Sequence, residues 1–458
     1  MLYFYKIPLE KIVKKILFMV SLLHLTLWGT EFSECRHFLQ RTMFAVDKTH
    51  LNACLQSESY ENYVQALLYK TSRPNETINY TPEIIRPYKK MRDLNITERK
   101  AFQKKKRESF MVLKKWWFTQ MITTEDPFEE KMVLFWHNHF TSSLRKVRQA
   151  ALLYKQNALF RKHALGNFAE LLHAIIEDPA MLIYLDNHTN KKSHPNENLA
   201  RELLELFTMG EGNYKETDIQ ALAKALTGYS RDKDLHFHFK KNIHDNGNKE
   251  IFNKIGDFNA HDMINIILEQ PATAKFIVRK LWVEFIGAVP DPLQVDKLAK
   301  LFVEQNYELK PLLQALFMSE AFMNPSSYGT MIKSPVELTV GTLRSLEYHD
   351  FDTKIVLQFC RRLGQDLFDP PNVKGWDGGE QWINTNTLLI RKSFFNRLLR
   401  SDTMQYLTYD LFTPTTEKRN KEERAAEVLL PINVFITPVD TFKQTLRMIF
   451  QNPIYQLK

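Results

Sequence analysis

Cysteine, glycine and long apolar runs are all scarce in this sequence, and each scarcity excludes a class of protein. The 458 residues contain only three cysteines, which are too few for a disulfide framework or a cysteine-rich zinc module. An odd number argues against an oxidising compartment, although one disulfide could still join two of the three: Cys35, Cys54 and Cys360. Fourteen glycines exclude collagen-like and glycine-rich low-complexity chains.

The overall composition is that of an ordinary globular protein with a slight basic excess. Apolar residues make up 44% of the chain and charged residues 25%, which supports a large core and excludes wholesale disorder. The formal charge of +9 is too small for this length to indicate nucleic acid. A basic run at 104–107, with Lys114 and Lys115 beyond it, is most simply a solvated helix face. Nucleic acid is therefore not an expected partner.

Residues 1–34 form an apolar N-terminal segment that fits more than one interpretation. Three lysines precede the apolar run 16–28, as in a secretory signal, but no small-residue cleavage site follows. The run is shorter than the ~20 residues that span a bilayer. An amphipathic helix fits equally well, and a misassigned start codon is a further interpretation. The sequence leaves export to the periplasm or envelope and a cytoplasmic location equally open, and it confines any expected membrane contact to residues 11–28.

Helix signals recur from about residue 35 to the end of the chain. Asp126-Pro127 and Ser334-Pro335 each place a capping residue before a proline at the first helical position. Apolar residues then follow at intervals of three and four, and no long alternation typical of strands occurs. We therefore predict a mainly α protein, with a single large multi-helical domain over residues 35–458 and long irregular loops around 230–258 and 364–387.

Two histidines in the segment 135–140 (FWHNHF) are the first candidates for chemistry. His139 falls on the apolar stripe of its helix, which is typical of a buried histidine bonded to a neighbouring helix. Because imidazole titrates near neutrality, His137 or His139 is alternatively an acid–base group or a metal ligand. The two side chains lie about 200° apart around a helix, so both can bind one metal only if the helix ends between them.

The segment 194–206 (HPNENLARELLEL) carries the densest set of polar groups. Its charges at intervals of four fit surface ion pairs. Helical rotation nevertheless places Glu202 only ~60° from the apolar stripe, and a carboxylate near a core edge needs a basic or cationic partner. The sequence leaves structural pairing and a ligand site equally open for Asn196, Asn198, Arg201, Glu202 and Glu205.

Two loop segments add further candidates. His244-Asp245 precedes a turn signal, so it fits either a surface turn or an Asp245 carboxylate that orients His244. The segment 372–380 (NVKGWDGGE) combines glycines, which allow close backbone approach, with a cation, a flat ring and an acid. A packed corner and a stacking platform for a sugar or base both fit Lys374, Trp376 and Asp377. No P-loop, dinucleotide fingerprint, nucleophile elbow or HExxH motif occurs.

These segments together resemble the bacterial domain-of-unknown-function family 1800. The matching stretches are 37–44 (HFLQRTMF), 135–140, 196–210 (NENLARELLELFTMG), 214–229, 244–245, 334–338 (SPVEL) and 369–385 (DPPNVKGWDGGEQWINT). The resemblance implies a helical domain without an assigned activity, often in exported proteins of Gram-negative bacteria. Members are commonly encoded beside a sulfatase-like family, which makes a sulfatase-like protein the expected partner. Ala45 stands where the family usually has glycine, so the first turn is expected to differ.

The leading hypothesis is that the polar segments converge on one pocket among the helices, because histidine, carboxylate and glycine-loop motifs coexist. The expected function is then a hydrolase-like reaction on an envelope or polymeric substrate, with a divalent metal as candidate cofactor and His139, Glu202 and Glu205 as its candidate ligands. The alternative is a non-enzymatic binding or scaffold protein with buried ion-pair networks. The assigned residues are, for catalysis, His137, His139, Arg201, Glu202, His244 and Asp245 and, for substrate binding, Asn196, Asn198, Lys374, Trp376 and Asp377.

Overall fold

The computed structural model describes residues 31–70, 80–87, 90–348, 350–400, 421–436, 439 and 441–458. The apolar segment 1–30 lies outside the described residues, and so does the choice between a signal and an amphipathic helix for 11–28. Within the described part of the chain, no helix combines the length and the apolar character required to cross a bilayer.

The protein has a single, mainly α-helical fold, which confirms the predicted class. The α-helices of the N-terminal half are α1 (Phe32–Thr42), α2 (Lys48–Leu55), α3 (Tyr60–Tyr69), α4 (Ile96–Thr123), α5 (Pro127–His139), α6 (Leu144–Val147), α7 (Ala150–Lys162), α8 (Phe168–Ile175), α9 (Pro179–Tyr184), α10 (Asn198–Glu202) and α11 (Glu216–Ala225). A π-helix, Leu203–Thr208, continues α10. The α-helices of the C-terminal half are α12 (Ala260–Leu268), α13 (Pro271–Phe285), α14 (Pro292–Glu304), α15 (Leu309–Phe317), α16 (Glu320–Met323), α17 (Pro335–Ser345), α18 (Thr353–Arg362), α19 (Thr385–Leu398), α20 (Lys421–Leu429) and α21 (Phe442–Gln451).

Two small antiparallel hairpins occupy the irregular segment predicted at 230–258. In the first, β1 (Tyr229–Arg231) pairs with β2 (Phe237–Phe239). In the second, β3 (Lys249–Ile251) pairs with β4 (Lys254–Gly256). The other predicted loop, 364–387, contains one short 3₁₀ turn at Gly379–Trp382 before α19 begins.

Two helix starts follow the predicted proline signals. Helix α17 begins at Pro335, and the Ser334 hydroxyl and the Glu337 carboxylate each accept the other's backbone N–H, which closes a capping box. Helix α5 begins at Pro127, but the Asp126 side chain does not cap it and instead pairs with a lysine 2.7 Å away. Proline at the first helical position therefore marks the start of α5 without the predicted side-chain cap.

Helix α5 runs through the centre of the core. All of its residues except Glu129 and Asn138 are buried, so its charged side chains need partners inside the protein. Glu130 accepts from the indole of Trp117 at 3.0 Å and from the guanidinium of Arg161 at 2.6 Å. The other buried charge of α5, a lysine, faces the site described below.

A disulfide joins Cys35 of α1 to Cys54 of α2, and Cys360 is buried with a free thiol. The sequence allowed one such bond but did not predict which cysteines form it. Because two cysteines are paired and the third is buried, the odd count does not argue against an oxidising compartment. The bond also fixes α2 against α1 at the N-terminal end of the described fold.

Candidate functional site

Three of the singled-out segments, 135–140, 334–338 and 372–380, meet at a cavity of about 290 Å³. Residues 331–332 and the C-terminal residue complete its wall, because strand-like contacts join 331–333 to 456–458. We call this space the lysine cavity, after the four lysines that line it: Lys131, Lys280, Lys374 and Lys458.

A buried ion-pair network forms one wall of the lysine cavity. The Glu337 carboxylate accepts from the ammonium groups of Lys131 and Lys458 and from the backbone N–H of Ser334. Lys131 also lies 2.7 Å from a carboxylate oxygen of the half-buried Glu284. Burial opposes ionisation of Glu337, but the two lysines outweigh it and hold its pKa well below the usual range. Glu337 is therefore a buried carboxylate that stays charged.

A second contact fixes the glycine loop to the end of α5. The side-chain oxygen of Asn138 accepts the backbone N–H of Trp376 at 2.7 Å. Gly375 has φ +91°, and a Cβ built on it would lie 2.3 Å from that same oxygen. Only glycine combines this backbone conformation with so close an approach. The sequence suggested close backbone approach by these glycines, and Gly375 makes it.

His139 is held in one tautomer by the π-helix. Its Nε2 lies 2.9 Å from the carbonyl oxygen of Phe207, which only accepts, so Nε2 carries the proton and Nδ1 has a lone pair. Burial and the charge of Lys280 lower the pKa of His139 to about 3. The imidazole is thus neutral at physiological pH. Segment 196–210 contributes to the site through this backbone carbonyl rather than through its carboxylates.

The exposed edge of the lysine cavity has an excess of positive charge and donors. Lys280 and Lys374 are exposed and form no ion pair with any described residue, and desolvation lowers the pKa of Lys280. The carboxylates that line the same cavity are those of Glu284, Glu337 and Asp377, and Lys374 also acts on the pKa of Glu202. The indole N–H of Trp376 is buried and has no hydrogen-bond partner within the described chain. An oxyanion is the chemical group that such donors and charges would bind.

The family comparison covers the same segments. The model of a family described as "Protein of unknown function (DUF1800)" matches residues 37–457, nearly the whole chain. The protein belongs to the DUF1800 family. No curated protein and no solved structure gave a match. The resemblance read from the motifs is therefore confirmed, and three of those DUF1800 motifs contribute to one cavity.

His137 lies behind the lysine cavity and does not line it. Its ring packs against Trp117 and Phe368, each at 5.1 Å between centroids, and against Trp376 at 5.6 Å. Neither ring nitrogen has a partner among the described residues, and burial lowers the pKa of His137 to about 3. Trp376 is itself only 5% exposed, so in this DUF1800 protein the indole forms a packed corner rather than an open stacking platform.

The polar groups of segment 194–206 lie outside the cavity and have local partners. Arg201 pairs with Glu197 at 3.2 Å and with Glu216, so the guanidinium predicted to clamp an anion is already bound to carboxylates. Glu205 accepts from a tyrosine hydroxyl at 3.0 Å. Glu202 is half-buried, and burial and Glu205 raise its pKa while Arg201 and Lys374 oppose the rise. The pKa of Glu202 is thus influenced by a lysine of the cavity.

The asparagines of this segment stabilise the backbone around it. The side-chain oxygen of Asn196 accepts the backbone N–H of Asn198 at 3.0 Å. The backbone N–H of Asn196 donates to the side-chain oxygen of Asn190 at 2.9 Å. The Asn198 amide lies 3.4 Å from the Asp186 carboxylate. These contacts fix the backbone that precedes α10, and neither asparagine lines the lysine cavity.

His244 and Asp245 are also separate from the cavity, and each has a partner other than its neighbour. The His244 Nδ1 lies 2.7 Å from the carbonyl oxygen of Thr227. The Asp245 carboxylate accepts the N–H of Gly247 at 2.9 Å, as expected of a turn. Of the two interpretations of this pair, the geometry matches the turn.

Metal ligation by the proposed set has no geometric support. Nowhere in the described ranges do three histidine, cysteine, aspartate or glutamate side chains converge in a way that could hold a metal ion. His139 lines the cavity, whereas Glu202 and Glu205 lie outside it. The predicted ligand triad is therefore not brought together.

Sequence reasoning missed most of the charged residues of the cavity. Lys131 gave only a weak signal, because it directly precedes the apolar run 132–136 of α5. Glu337 was interpreted only as part of a capping signal. Lys280, Glu284 and Lys458 gave no signal in the sequence, since their position depends on how distant helices and the C-terminal segment pack.

Proposed function

We propose that this DUF1800 protein binds an anionic ligand in the lysine cavity through a carboxylate, phosphate or sulfate group. The observation that carries the proposal is the pair of exposed lysines, Lys280 and Lys374, which no described carboxylate neutralises by an ion pair. The sequence left a non-enzymatic binding protein as the alternative to a hydrolase. The proposal adopts that alternative and names anions as the class of ligand.

Charge balance supports an anion. In the buried wall, Lys131 and Lys458 are matched by Glu284 and Glu337, so the wall has no formal net charge. The lining as a whole has four lysines against three carboxylates, those of Glu284, Glu337 and Asp377, and Lys280 and Lys374 have no ion-pair partner among the described residues. A bound oxyanion would offset this excess and would form charge-assisted hydrogen bonds, each worth about 1.5–3 kcal/mol.

The buried indole N–H supports the same ligand class. A buried donor without a partner costs about 1–3 kcal/mol, and Trp376 Nε1 is such a donor in the cavity wall. An acceptor from the ligand would remove that cost. The cavity, at about 290 Å³, lies at the lower end of the ~300–1,000 Å³ usual for ligand sites. We therefore expect a group of monosaccharide size, either a small molecule or one end of an anionic polymer.

The protonation of the histidines favours binding over hydrolysis at this cavity. A general acid or base works best with a pKa near the operating pH, whereas burial lowers the pKa of both His137 and His139 to about 3. A neutral imidazole with such a pKa is a poor proton donor and a weak base at neutral pH. The hydrolase hypothesis for this cavity thus lacks a suitable proton carrier among its predicted residues.

Titration calorimetry with three probes tests the proposal. Glucose 6-phosphate and glucuronate carry an oxyanion, and glucose is the neutral control of similar size. We expect binding of at least one anion and none of glucose. Lys280→Gln and Lys374→Gln should each weaken that binding by roughly 10-fold or more, whereas Lys297→Gln, at an exposed lysine on α14, should not. Equal binding of glucose, or no binding of either anion, would refute the proposal.

The disulfide supports a location for the protein. We infer that the DUF1800 protein works in an oxidising compartment, such as the periplasm or envelope, because Cys35–Cys54 would be reduced in the cytosol. This favours the exported alternative over the cytoplasmic one. Alkylation of thiols in freshly lysed cells tests it, and recovery of all three cysteines in the alkylated form would contradict it.

A further inference from the structure

A groove of about 790 Å³, larger than the lysine cavity, opens elsewhere in the fold. It lies between α2 and α3, with the end of α4 and the residues around the end of α17 as its other walls. It shares no residue with the lysine cavity, and none of the residues singled out from the sequence lines it.

An aspartate–histidine pair lies in the wall of the groove. The imidazole Nδ1 of His50 is 2.8 Å from one carboxylate oxygen of Asp47 and 3.0 Å from the other. Burial opposes ionisation of Asp47, but hydrogen bonds from His50 and the charge of Arg344 hold its pKa well below the usual range. An ionised carboxylate only accepts, so Nδ1 carries the proton. In neutral His50 the lone pair is then on Nε2, which has no partner among the described side chains and backbone.

The aspartate is held from a second side, which makes the pair rigid. One guanidinium nitrogen of Arg344 donates to the Asp47 carboxylate at 2.9 Å. The other donates to backbone carbonyls at the end of α4, among them that of Ile122 at 2.7 Å. Asp47 also accepts the backbone N–H of His50 at 2.9 Å, which caps α2. Capping explains that last bond, but it requires neither the imidazole contact nor the buried arginine.

A buried hydroxyl lies in the same groove. Tyr63 on α3 is 6% exposed, lines the groove, and has no hydrogen-bond partner for its hydroxyl in the part of the chain that the structure describes. Burial and the charge of Asp47 raise its pKa, so the hydroxyl stays protonated and can donate. A buried hydroxyl without a partner costs about 1–3 kcal/mol, and a ligand oxygen would remove that cost.

The charges of the groove indicate the sign of its ligand. The carboxylate of Asp47 is paired with Arg344, and Lys70 is paired with Asp126 outside the groove at 2.7 Å. Two further carboxylates, those of Glu125 and Glu347, line the groove without an ion pair to any described residue. The groove therefore has an excess of negative charge, which favours a ligand with a cationic group.

We propose that this groove is a hydrolytic site in which His50 is the general base, Tyr63 donates to the developing oxyanion, and the substrate is an ester or amide that carries a cationic group. Asp47 is a positioning residue, since it acts through His50. This goes beyond the proposed function, because it assigns a second site and a reaction, and it does not depend on anion binding at the lysine cavity.

The reaction conserves atoms and charge with water as the only co-reactant. His50 Nε2 takes a proton from a water molecule as the water oxygen bonds to the acyl carbon, and the carbonyl π electrons move onto the carbonyl oxygen beside Tyr63. When the carbonyl re-forms, the bond from the acyl carbon to the leaving oxygen or nitrogen breaks. The leaving group takes the proton from His50 Nε2, which regenerates the neutral base and releases the acid.

Hydrolysis of 4-nitrophenyl esters by the full chain tests this inference. The probes are the esters of Nα-acetyl-lysine, Nα-acetyl-norleucine and Nα-acetyl-glutamate, which differ in charge. We expect catalysed release of 4-nitrophenolate in the order lysine, norleucine, glutamate. His50→Gln should lower kcat by roughly 10²–10⁴-fold. Tyr63→Phe should lower it by roughly 10²-fold or more, with no loss of stability because the hydroxyl has no partner to lose among the described residues.

Two controls keep the test decisive. His238→Gln changes an exposed histidine on β2 and should leave the rate unchanged. Glu125→Gln and Glu347→Gln should raise KM for the lysine ester but not for the norleucine ester, which a purely structural role would not produce. Release no faster than in buffer, or an unchanged rate in both His50→Gln and Tyr63→Phe, would overturn the inference.

Discussion

Replacement of Glu337 by glutamine tests the buried network that forms a wall of the lysine cavity. Gln has nearly the same size and its amide oxygen can still accept the N–H of Ser334, so the capping box on α17 should persist. The substitution removes only the negative charge that Lys131 and Lys458 share. The change in stability therefore measures the contribution of the ion pairs separately from that of side-chain packing.

The magnitude follows from what remains around the two lysines. Removal of one partner from a buried ion pair costs about 3–5 kcal/mol, because the other charge is left buried without compensation. Here Glu284 stays 2.7 Å from Lys131 but 3.9 Å from Lys458, so Lys131 keeps a partner while Lys458 nearly loses one. We therefore expect a loss of about 2–4 kcal/mol in the free energy of unfolding, below the full cost for two uncompensated charges.

Urea unfolding followed by circular dichroism measures this loss, with Glu304→Gln as the matched control. Glu304 forms an exposed pair with Lys300 at 3.8 Å, which is worth less than about 1 kcal/mol. The difference between the wild type and Glu337→Gln should also depend on pH. Because the folded pKa of Glu337 is lowered, its contribution is complete above the ordinary glutamate pKa and disappears as the pH falls through the folded value.

The result that would refute this reasoning is a loss of less than about 1 kcal/mol at pH 7, equal to that of the exposed control. It would mean that Lys131 and Lys458 are solvated or neutral without Glu337. A large loss that stays constant down to strongly acidic pH would also contradict the argument, since it would trace the effect to packing instead of charge.

Three further predictions follow from single features of the fold. Gly375→Ala should destabilise the protein by about 1–3 kcal/mol and weaken anion binding, because a methyl group at φ +91° meets Asn138; thermal unfolding and calorimetry check it, and a neutral effect would contradict it. Reduction of Cys35–Cys54, or Cys35→Ser, should cost about 3 kcal/mol through loop entropy in the unfolded chain, with the unfolding midpoint compared with and without reductant. Burial lowers the pKa of Lys333 to about 7, so the unfolded state binds more protons between that pH and the ordinary lysine pKa; stability should rise with pH in this window, and Lys333→Met should reduce the slope.

The helical architecture could be predicted because its signals are local. Proline at the first helical position marked the starts of α5 and α17, although only α17 has the predicted side-chain cap. Apolar residues at intervals of three and four distinguished helix from strand over most of the chain. The hairpins at 229–256 largely coincide with the segment around 230–258 that was predicted to be an irregular loop. Each of these inferences needed only a few consecutive residues.

The candidate site could be predicted only in part, because its charge balance depends on tertiary packing. Residues in recognisable motifs, such as His139 and Lys374, were identified and do share a cavity. Arg201 was expected to clamp an anion, and the structure pairs it with Glu216, which is fifteen positions away on another helix and could not be foreseen as its partner. Lys458 could not be foreseen, since only the pairing of 456–458 with 331–333 brings it to Glu337.

The groove around His50 was missed for a different reason. Its Asp47–His50 spacing is visible in the sequence but does not by itself indicate a functional site. Asp47 three residues before His50 is an ordinary capping spacing, and neither residue belongs to a known catalytic motif. What makes the pair notable is the buried Arg344 from α17 and the hydroxyl of Tyr63 from α3, which has no hydrogen-bond partner in the described part of the chain. Both are contributed by other helices.

The energetics of the lysine cavity argue that its charges are retained for a ligand. Apolar side chains of similar volume in place of a buried ion pair are often neutral or stabilising by about 1–4 kcal/mol, so stability alone does not explain charged groups at 131, 337 and 458. A need to fix the packing of α5 against α17 could explain a buried pair. It would not explain Lys280 and Lys374 at the exposed edge, which form no ion pair with a described carboxylate. An anionic ligand accounts for both, because the buried pairs hold the wall in place while the exposed lysines supply the attraction.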